Sequence, residues 1–175
     1  MPCDISLGRI EPCKTGIGGI KAVYFVNFGA ATGYTYDATN TDAITAVTGS
    51  PSAYKYEVKG ASSFDQTVNS SRDTGTTFFT QTLNLTLKSL TVKDHKQIKL
   101  LAYGRPQVII QDNNNNYFYA GLLFGMEVTG GTIVTGTNMG DLSGYTLTLT
   151  GQEPTPANFI TTALNTAGFT IVSGT

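Results

Sequence analysis

Apolar and polar residues alternate along several stretches of this chain, and the alternation predicts β-strands. Over residues 79–88 the odd-numbered positions are apolar, with Gln81 as the exception, and the even-numbered positions are Thr, Asn or Lys. Residues 145–150 repeat the pattern, with Tyr or Leu alternating with three threonines. A period of two residues is typical of a strand with one buried face, so both segments are predicted to be half-buried strands.

Other strands are predicted where β-branched and aromatic residues cluster between Gly, Pro, Asn and Ser. These segments cover residues 20–28, 53–58, 62–69, 107–111, 117–122, 123–129, 132–137 and 168–172. A turn is predicted at residues 72–75, and the asparagine run at 113–116 predicts a hairpin loop, because Asn tolerates a positive φ. Many short strands favour a mainly β fold, either a β-sandwich or a barrel.

One α-helix is predicted at Val92–Tyr103, flanking the strands. Thr91 is a suitable N-cap, Asp94 occupies the third helical position, and Gly104 ends the helix. The residues expected on its buried side are Ile98, Leu101 and Ala102. A second, short helical turn is predicted within residues 157–164.

The chain is expected to form an arm and one domain. Residues 1–19 predict an irregular arm, because prolines and glycines resist regular structure there. Residues 20–175 predict a single β-sandwich or barrel domain, and a chain of this length can bury a substantial core. Within it, residues 29–51 are rich in Thr, Ala, Gly and Asn and predict a long loop, with a short strand at 44–47 as the alternative.

Both cysteines, Cys3 and Cys13, lie in the predicted arm. A disulfide between them would close a small loop, whereas free thiols are expected in a protein assembled in the cytoplasm. The chain has a single histidine, so a zinc site built from Cys and His side chains is not expected.

Charged residues make up only 13% of the chain, about half of the roughly 25% found in soluble domains, and the net charge is −1. Thr, Ser, Asn and Gly must therefore form much of the surface. Such groups can hydrogen-bond to another protein without burying an ion, so this surface is predicted to contact other protein, chiefly copies of the same chain. A Thr-rich extracellular β-domain is the alternative. No apolar run approaches the roughly 18 residues of a membrane span, and the N-terminus lacks a signal-peptide pattern.

The side chains that carry catalysis are sparse and scattered. His95 is the only imidazole, and it lies among lysines of the predicted helix with no nucleophile tied to it. The glycines at 16–19 precede a strand and lack the ending of a phosphate-binding loop. No spacing of carboxylates indicates acid–base catalysis or metal binding. No catalytic, cofactor or metal site is therefore expected, and the slightly acidic balance argues against tight DNA binding.

Three segments together resemble structural proteins of tailed bacteriophages. They are the passage from Glu11-Pro12-Cys13-Lys14 to the strand VYFVNF at 23–28, the strand at 79–87, and YTLTLTGQE at 145–153 with PANF at 156–159. Within that group the chain is most similar to tail tube (major tail) proteins of phages that infect Bacteroidetes.

This resemblance implies a β-sandwich or barrel of the tail tube type with one flanking helix at about residues 92–103. It implies hexameric rings that stack into a tube in the virion, assembled in the host cytoplasm, with no enzyme activity, no cofactor and no membrane. Inner strands of neighbouring copies would pair into a lumen wall, through which genomic DNA passes without specific binding. Other expected partners are the terminator, baseplate, tape measure and sheath proteins of a tail.

The residues expected to make assembly contacts lie in the arm, the long loop and the asparagine loop. They are Cys13, Gly16, Gly18, Gly19, Tyr34, Tyr36, Asn114 and Asn115. The polar face of strand 79–88 is expected to line the lumen or a contact, through Thr80, Thr82, Asn84 and Thr86.

Two alternatives to a tail tube subunit stay open. One is another virion part, namely a tail terminator, a neck protein or a head decoration protein. The other is a carbohydrate-binding or adhesive β-domain, which would need an exposed aromatic platform. The candidates for that platform are Tyr34, Tyr36, Tyr54, Tyr56, Tyr117 and Tyr119.

Overall fold

A computed structural model describes residues 5–174 and shows a mainly β chain, which confirms the predicted class. The strands of the described residues are β1 (Ile20–Val26), β2 (Gly33–Tyr36), β3 (Ala43–Thr48), β4 (Ser52–Glu57), β5 (Ser63–Ser71), β6 (Thr76–Lys88), β7 (Gln107–Asp112), β8 (Tyr117–Ala120), β9 (Glu127–Val134), β10 (Gly144–Glu153), β11 (Asn158–Ile160) and β12 (Thr170–Val172). The helices are α1 (Val92–Tyr103) and α2 (Leu164–Ala167).

The strands form two sheets. The larger has eight strands in the order β12-β4-β1-β7-β8-β11-β3-β2 and is mixed, because β12 pairs with β4, and β11 with β3, in parallel. The smaller has four strands in the order β5-β6-β10-β9, and every neighbouring pair in it is antiparallel.

The four-stranded sheet packs its apolar face against the middle of the larger sheet, which makes the fold sandwich-like. The alternation predicted for β6 and β10 places their leucines in this core, opposite side chains of β1 and β7. The main buried residues are Val23, Phe25, Leu83, Leu85, Val108, Ile110, Leu147 and Leu149. Since Thr side chains occupy the other face of β6 and β10, only one face of this sheet is apolar.

A second core lies on the opposite face of β1 and β7. It is closed by β3, β8, β11 and α2, and its largest members are Tyr24, Ile44, Ile109, Tyr119, Ile160, Leu164 and Phe169. β1 and β7 are thus buried on both faces, which explains why residues 22–26 and 108–110 are continuously apolar where β6 and β10 alternate.

The predicted long loop at 29–51 is wrong and the alternative, a short strand at 44–47, is confirmed, because β2 and β3 form an antiparallel hairpin there. Its strands carry Thr, Ala and Gly with few large apolar residues, so they lack a strong pattern. The predicted helical turn within 157–164 is also wrong. That segment forms β11, which pairs in parallel with β3 from far along the chain, and helix α2 begins only at Leu164. The fold therefore does contain a short second helix, but it lies after the predicted segment and shares only Leu164 with it.

The strands predicted at 117–122, 123–129 and 132–137 also change, because residues 121–126 form a loop between β8 and β9. Gly130 and Gly131 do not separate two strands, because β9 runs through them with a bulge opposite Thr148 and Leu149. At Gly131 the φ angle is +156°, and a Cβ there would collide with the Thr146 carbonyl, so the strand needs glycine at this point.

The predicted helix is confirmed with its bounds, and Thr91 caps it by accepting a hydrogen bond from the Asp94 N–H at 3.0 Å. Ile98 is buried and Leu101 half-buried, but Ala102 is exposed, because α1 contacts the sheets along a narrow stripe. The turn at residues 72–75 is confirmed, and Asn115 adopts a φ of 64° in the predicted hairpin loop.

Cys13 is exposed, and Cys3 lies outside the described residues, so the choice between a disulfide and free thiols stays open. Among residues 5–174, no helix is both long enough and apolar enough to cross a membrane.

The core between the sheets should be far more sensitive to truncation than the polar face beside it. Leu149→Ala removes a fully buried side chain and should lower the free energy of unfolding by about 2–5 kcal/mol. The matched control is Thr148→Ala, the preceding residue on the outward face, which should cost about 1 kcal/mol or less. Urea unfolding followed by circular dichroism measures both, and equal losses would contradict this packing.

Candidate assembly surfaces

The N-terminal arm, residues 5–19, has no helix or strand and is exposed throughout. The asparagine loop between β7 and β8 holds the end of the arm next to β1, residues 17–19, which is called here the arm root. Asn114 bonds both backbone groups of Ile17, accepting from the N–H at 3.0 Å and donating to the carbonyl at 2.7 Å. Asn113 donates to the Gly18 carbonyl at 2.7 Å, and its N–H donates to the Gly19 carbonyl at 3.1 Å. The arm therefore leaves the domain from a fixed point.

The structure brings most of the predicted contact residues together at this root. Gly16 lies beside Asn114, Gly18 and Gly19 lie beside Asn113, and the neighbouring Asn115 accepts a hydrogen bond from Lys21 at 3.1 Å. Cys13 lies farther out on the arm.

Tyr34 and Tyr36 lie elsewhere, on β2 at one edge of the large sheet. The Tyr34 hydroxyl accepts from the Gln107 amide at 2.9 Å, and its ring packs edge-on against Tyr119 with centroids 5.8 Å apart. Tyr36 is exposed. Tyr34 is thus tied into the second core, whereas Tyr36 is available to a partner.

The outward face of the four-stranded sheet carries the predicted polar residues Thr80, Thr82, Asn84 and Thr86 in one row on β6. Threonines of β10 lie opposite Thr82, Asn84 and Thr86 in register, with Gln152 opposite Thr80, and the Thr148 hydroxyl donates to Asn84 at 3.1 Å. Further hydroxyl pairs join β9 and β10, between Thr129 and Thr150 and between Thr132 and Thr146. Asp65, Lys88 and Glu127 bring charge only to the margins of this face. The result is a neutral, hydrogen-bonding surface.

Both edges of this sheet are open. β5 forms one edge and β9 the other, and within the described residues neither has a further strand beside it. An open edge presents unpaired backbone N–H and C=O groups that can pair with another strand. Three antiparallel pairings separate β5 from β9, so the two edge strands run in opposite directions.

Three buried polar side chains from three strands, called here the clamp, form hydrogen bonds with the backbone of a loop at residues 121–126, called here the clamped loop. Gln81 of β6 accepts from the Gly121 N–H at 2.9 Å, and Gln107 of β7 donates to the Leu122 carbonyl at 2.8 Å. Glu153 of β10 accepts from two further N–H groups of the loop, those of Leu123 at 3.1 Å and Phe124 at 2.8 Å. The loop backbone is therefore held to both sheets.

The clamped loop presents apolar side chains to the outside. Leu123 is 53% exposed and Phe124 58% exposed, although the backbone beneath them is buried. Gly121 and Gly125 adopt positive φ values of 65° and 79°, and a side chain at either would collide with neighbouring atoms. The loop is thus both shaped and fixed by the protein around it.

Burial raises the pKa of Glu153 above its ordinary value, and the hydrogen bonds from Phe124 and Leu123 partly oppose this effect. Gln81, Gln107 and Glu153 are all at most 3% exposed, so each lost its hydration on folding. The hydrogen bonds to the loop offset that loss, and the charged form of Glu153 is the costliest of the three to keep.

Among residues 5–174, no group of three or more His, Cys, Asp or Glu lies close enough to hold a metal ion. His95 is exposed on α1, with its ring 6.4 Å from that of Tyr145.

Sequence reasoning did not identify Asn113 or the clamp as functional. Gln81 was recognisable as unusual, because it is a polar residue on the apolar side of β6. The sequence does not indicate which group its side chain binds. Gln107 and Glu153 lie at strand ends, where a polar residue is unremarkable in a sequence. Their convergence on one loop depends on the packing of two sheets.

Comparison with protein families, curated proteins and solved structures finds no match to this chain. Its function must therefore be inferred from these surfaces together with the resemblance described above. The geometry offers a fixed arm root, a neutral sheet face with two open edges, and a rigid apolar loop. All three are features of protein-to-protein contact.

The buried carboxyl of Glu153 should make stability depend on pH. Between the ordinary value of 4.5 and its raised native pKa, the native state holds more protons than the unfolded state. The free energy of unfolding should therefore fall as the pH rises through this interval. Glu153→Gln keeps an acceptor oxygen and removes the charge, so its stability relative to the natural chain should rise over the same interval. Urea unfolding from pH 3.5 to 8 measures the difference.

Asp141→Asn is a control, because Asp141 should make stability depend on pH in the opposite direction to Glu153. Hydrogen bonds from the N–H groups of Asn138 and Thr137 lower the pKa of Asp141 below its ordinary 3.8. Stability from this group is present above that value and is lost as the pH falls through the native pKa. If the free energy of unfolding of Glu153→Gln changes with pH in the same way as that of the natural chain, the prediction that burial destabilises the charged form of Glu153 is wrong.

Proposed function

We propose that this chain is a self-assembling structural subunit that closes into rings and stacks into a hollow tube, as a tail tube protein of a bacteriophage virion. The observation that carries the proposal is the four-stranded sheet, which has two open edges of opposite direction and a neutral outward face. The resemblance in the arm, in β6 and in β10 supports the same assignment.

The direction of the edge strands suits ring closure. If copies stand side by side in one orientation, β9 of one copy lies beside β5 of the next. Because these strands run in opposite directions, they pair as antiparallel neighbours and continue the pattern of the sheet. Repeating the contact around an axis hides every edge, as closed barrels do.

The other face of the small sheet would then line the bore. The large sheet covers the apolar face, so the row containing Thr82 and Asn84 points toward the axis. Six copies would place about 24 strands around the axis, and at about 4.8 Å between strands an untilted wall would be about 37 Å across. Strand tilt widens this figure.

A bore of this chemistry suits passage of DNA without retention. Tight binding to DNA depends on Lys and Arg neutralising phosphates and releasing counterions. The outward face has hydroxyl and amide groups in its centre and charge only at its margins, where Lys88 is the cation, so phosphates find no cation along its centre. The role requires no catalytic residue or cofactor. Partners would be copies within and between rings, with other tail proteins at the tube ends, after assembly in the host cytoplasm.

The direct test is negative-stain electron microscopy of the purified full-length chain over a range of concentrations. Hollow tubes with a stain-filled bore are expected. Single rings that do not stack would favour a terminator or neck protein instead. Monomers at every concentration would overturn self-assembly and would favour the carbohydrate-binding alternative, which a glycan array tests.

Lateral pairing should fail when charge is placed on an edge strand. Val68 lies on β5 and is 61% exposed, so Val68→Lys should leave the subunit folded but abolish closed rings. The matched control is Val172→Lys on β12, an edge strand of the larger sheet, where the side chain is 41% exposed. Particles are counted by microscopy, and folding is checked by circular dichroism. Normal rings from Val68→Lys would remove β5 from the proposed interface.

A further inference from the structure

A cleft of about 420 Å³, called here the helix cleft, lies between the second half of α1 and the strands β1 and β4. The residues that matter for its chemistry are the aromatic residues Phe28, Tyr54 and Tyr56 and the polar residues Asn27, Gln97 and Arg105. A cleft that combines apolar walls with a few polar groups is the usual form of a small-molecule site. Its lining residues belong neither to β5 or β9 nor to the outward face of the small sheet, so the cleft is separate from the proposed ring contact.

The aromatic rings of the helix cleft are positioned by the strands beneath them. Tyr56 packs edge-on against Phe25, with the ring centroids 5.0 Å apart. Tyr54 lies two residues earlier on the same face of β4, opposite Phe25 in the strand register, and is 40% exposed. Phe28, just after β1, is also 40% exposed. The face of an aromatic ring is electron-rich and attracts weakly positive C–H groups, so an exposed ring here can stack on the C–H face of a sugar.

Several polar side chains of the helix cleft are not used inside the subunit. Among residues 5–174, the side-chain amides of Asn27 and Gln97 and the hydroxyl of Tyr54 form no hydrogen bond with protein. By contrast, the amides of the clamp and of the asparagine loop are bonded. An amide presents an acceptor and two donors in one plane, an arrangement that matches neighbouring hydroxyls of a sugar ring.

Arg105 is the one charged residue among the described residues that line the helix cleft. Its guanidinium carbon lies 4.0 Å from the centre of the Phe28 ring, so the ring holds the group in place. No carboxylate among residues 5–174 lies within ion-pair distance of it. A guanidinium stacked on a ring keeps N–H groups at its edge, and two of them match the two oxygens of a carboxylate. The cleft therefore favours a ligand that carries a carboxylate.

We propose that the helix cleft binds an acidic saccharide, with a sugar ring stacked on Tyr54 and its carboxylate paired with Arg105. Asn27 and Gln97 bond the hydroxyls of the same ligand. A uronic acid unit combines the three features that the cleft matches, namely a C–H face, neighbouring hydroxyls and a carboxylate. The site belongs to the single subunit and does not depend on assembly. If copies assemble as proposed, each carries the site, and weak single contacts add up along a glycan-coated surface.

The test is saturation-transfer difference NMR on the purified full-length chain, which suits monomers and large assemblies alike. The acidic probes are trigalacturonate, a mannuronate trimer and a hyaluronan tetrasaccharide, and the neutral control is cellotriose. At least one acidic probe should bind at millimolar concentration, about tenfold more tightly than cellotriose, as expected for one charge-assisted hydrogen bond. Absence of binding by every acidic probe, or equal binding of cellotriose, would overturn the proposal.

Two variants place the binding in the helix cleft. Arg105→Gln removes the charge and should weaken the acidic probe about tenfold. Tyr54→Val removes the ring, keeps a residue suited to a strand, and should also weaken it. The matched control is Tyr36→Val on β2, where a tyrosine of similar exposure, 43%, lies at the far edge of the large sheet, and binding should be unchanged. Circular dichroism checks folding, and full affinity in both folded cleft variants would overturn the site.

Microscopy of the same samples separates this proposal from the proposed function. A chain that binds the acidic probe without forming tubes supports the helix cleft alone. Tubes that bind none of the acidic probes overturn the helix cleft and leave the proposed tube standing.

Discussion

Burial of β1 and β7 on both faces is the constraint on which the rest of this structure depends. One face packs against the four-stranded sheet and the other against β3, β8, β11 and α2. Two strands with apolar side chains on both faces need cover on both sides, which accounts for a second sheet and a second core in a chain of modest size. The same strands set the long direction of the subunit. The arm root and asparagine loop are placed at one end, and the clamped loop at the other.

The parts of the fold that the sequence could predict are those with a regular residue pattern within a single segment. β6 and β10 alternate strictly, and α1 carries its cap and stop within a few residues, so each was predictable from its own segment. Of the β2–β3 hairpin, only β3 was predicted, and as one of two alternatives, because the Thr and Ala residues there give a weak pattern. β11 was not, because its parallel pairing with β3 joins segments more than a hundred residues apart. The asparagine run was predictable as a hairpin loop, but its hold on Ile17 and Gly18 depends on where the arm leaves β1.

The clamp shows how buried polar side chains can fix the conformation of one loop in a protein with few charges. Gln81, Gln107 and Glu153 would each destabilise the core if left unpaired, and each is satisfied by a backbone group of one loop. Of the three, only Glu153 is ionisable, and its burial raises its pKa. Since all three act on one loop, moving that loop would expose three buried polar groups at once. The side chains at the loop tip are therefore held in place by the interior of the domain.

The proposed ring contact and the clamped loop lie on separate surfaces of this subunit. Under the proposed function, pairing of β5 with β9 joins strands of opposite direction and, repeated around an axis, uses both edges of the small sheet. The clamped loop is no part of these edges, and it displays Leu123 and Phe124 on a backbone that buried side chains hold in place. Because the edge strands and the clamped loop share no residues, a substitution on one surface should leave the other intact.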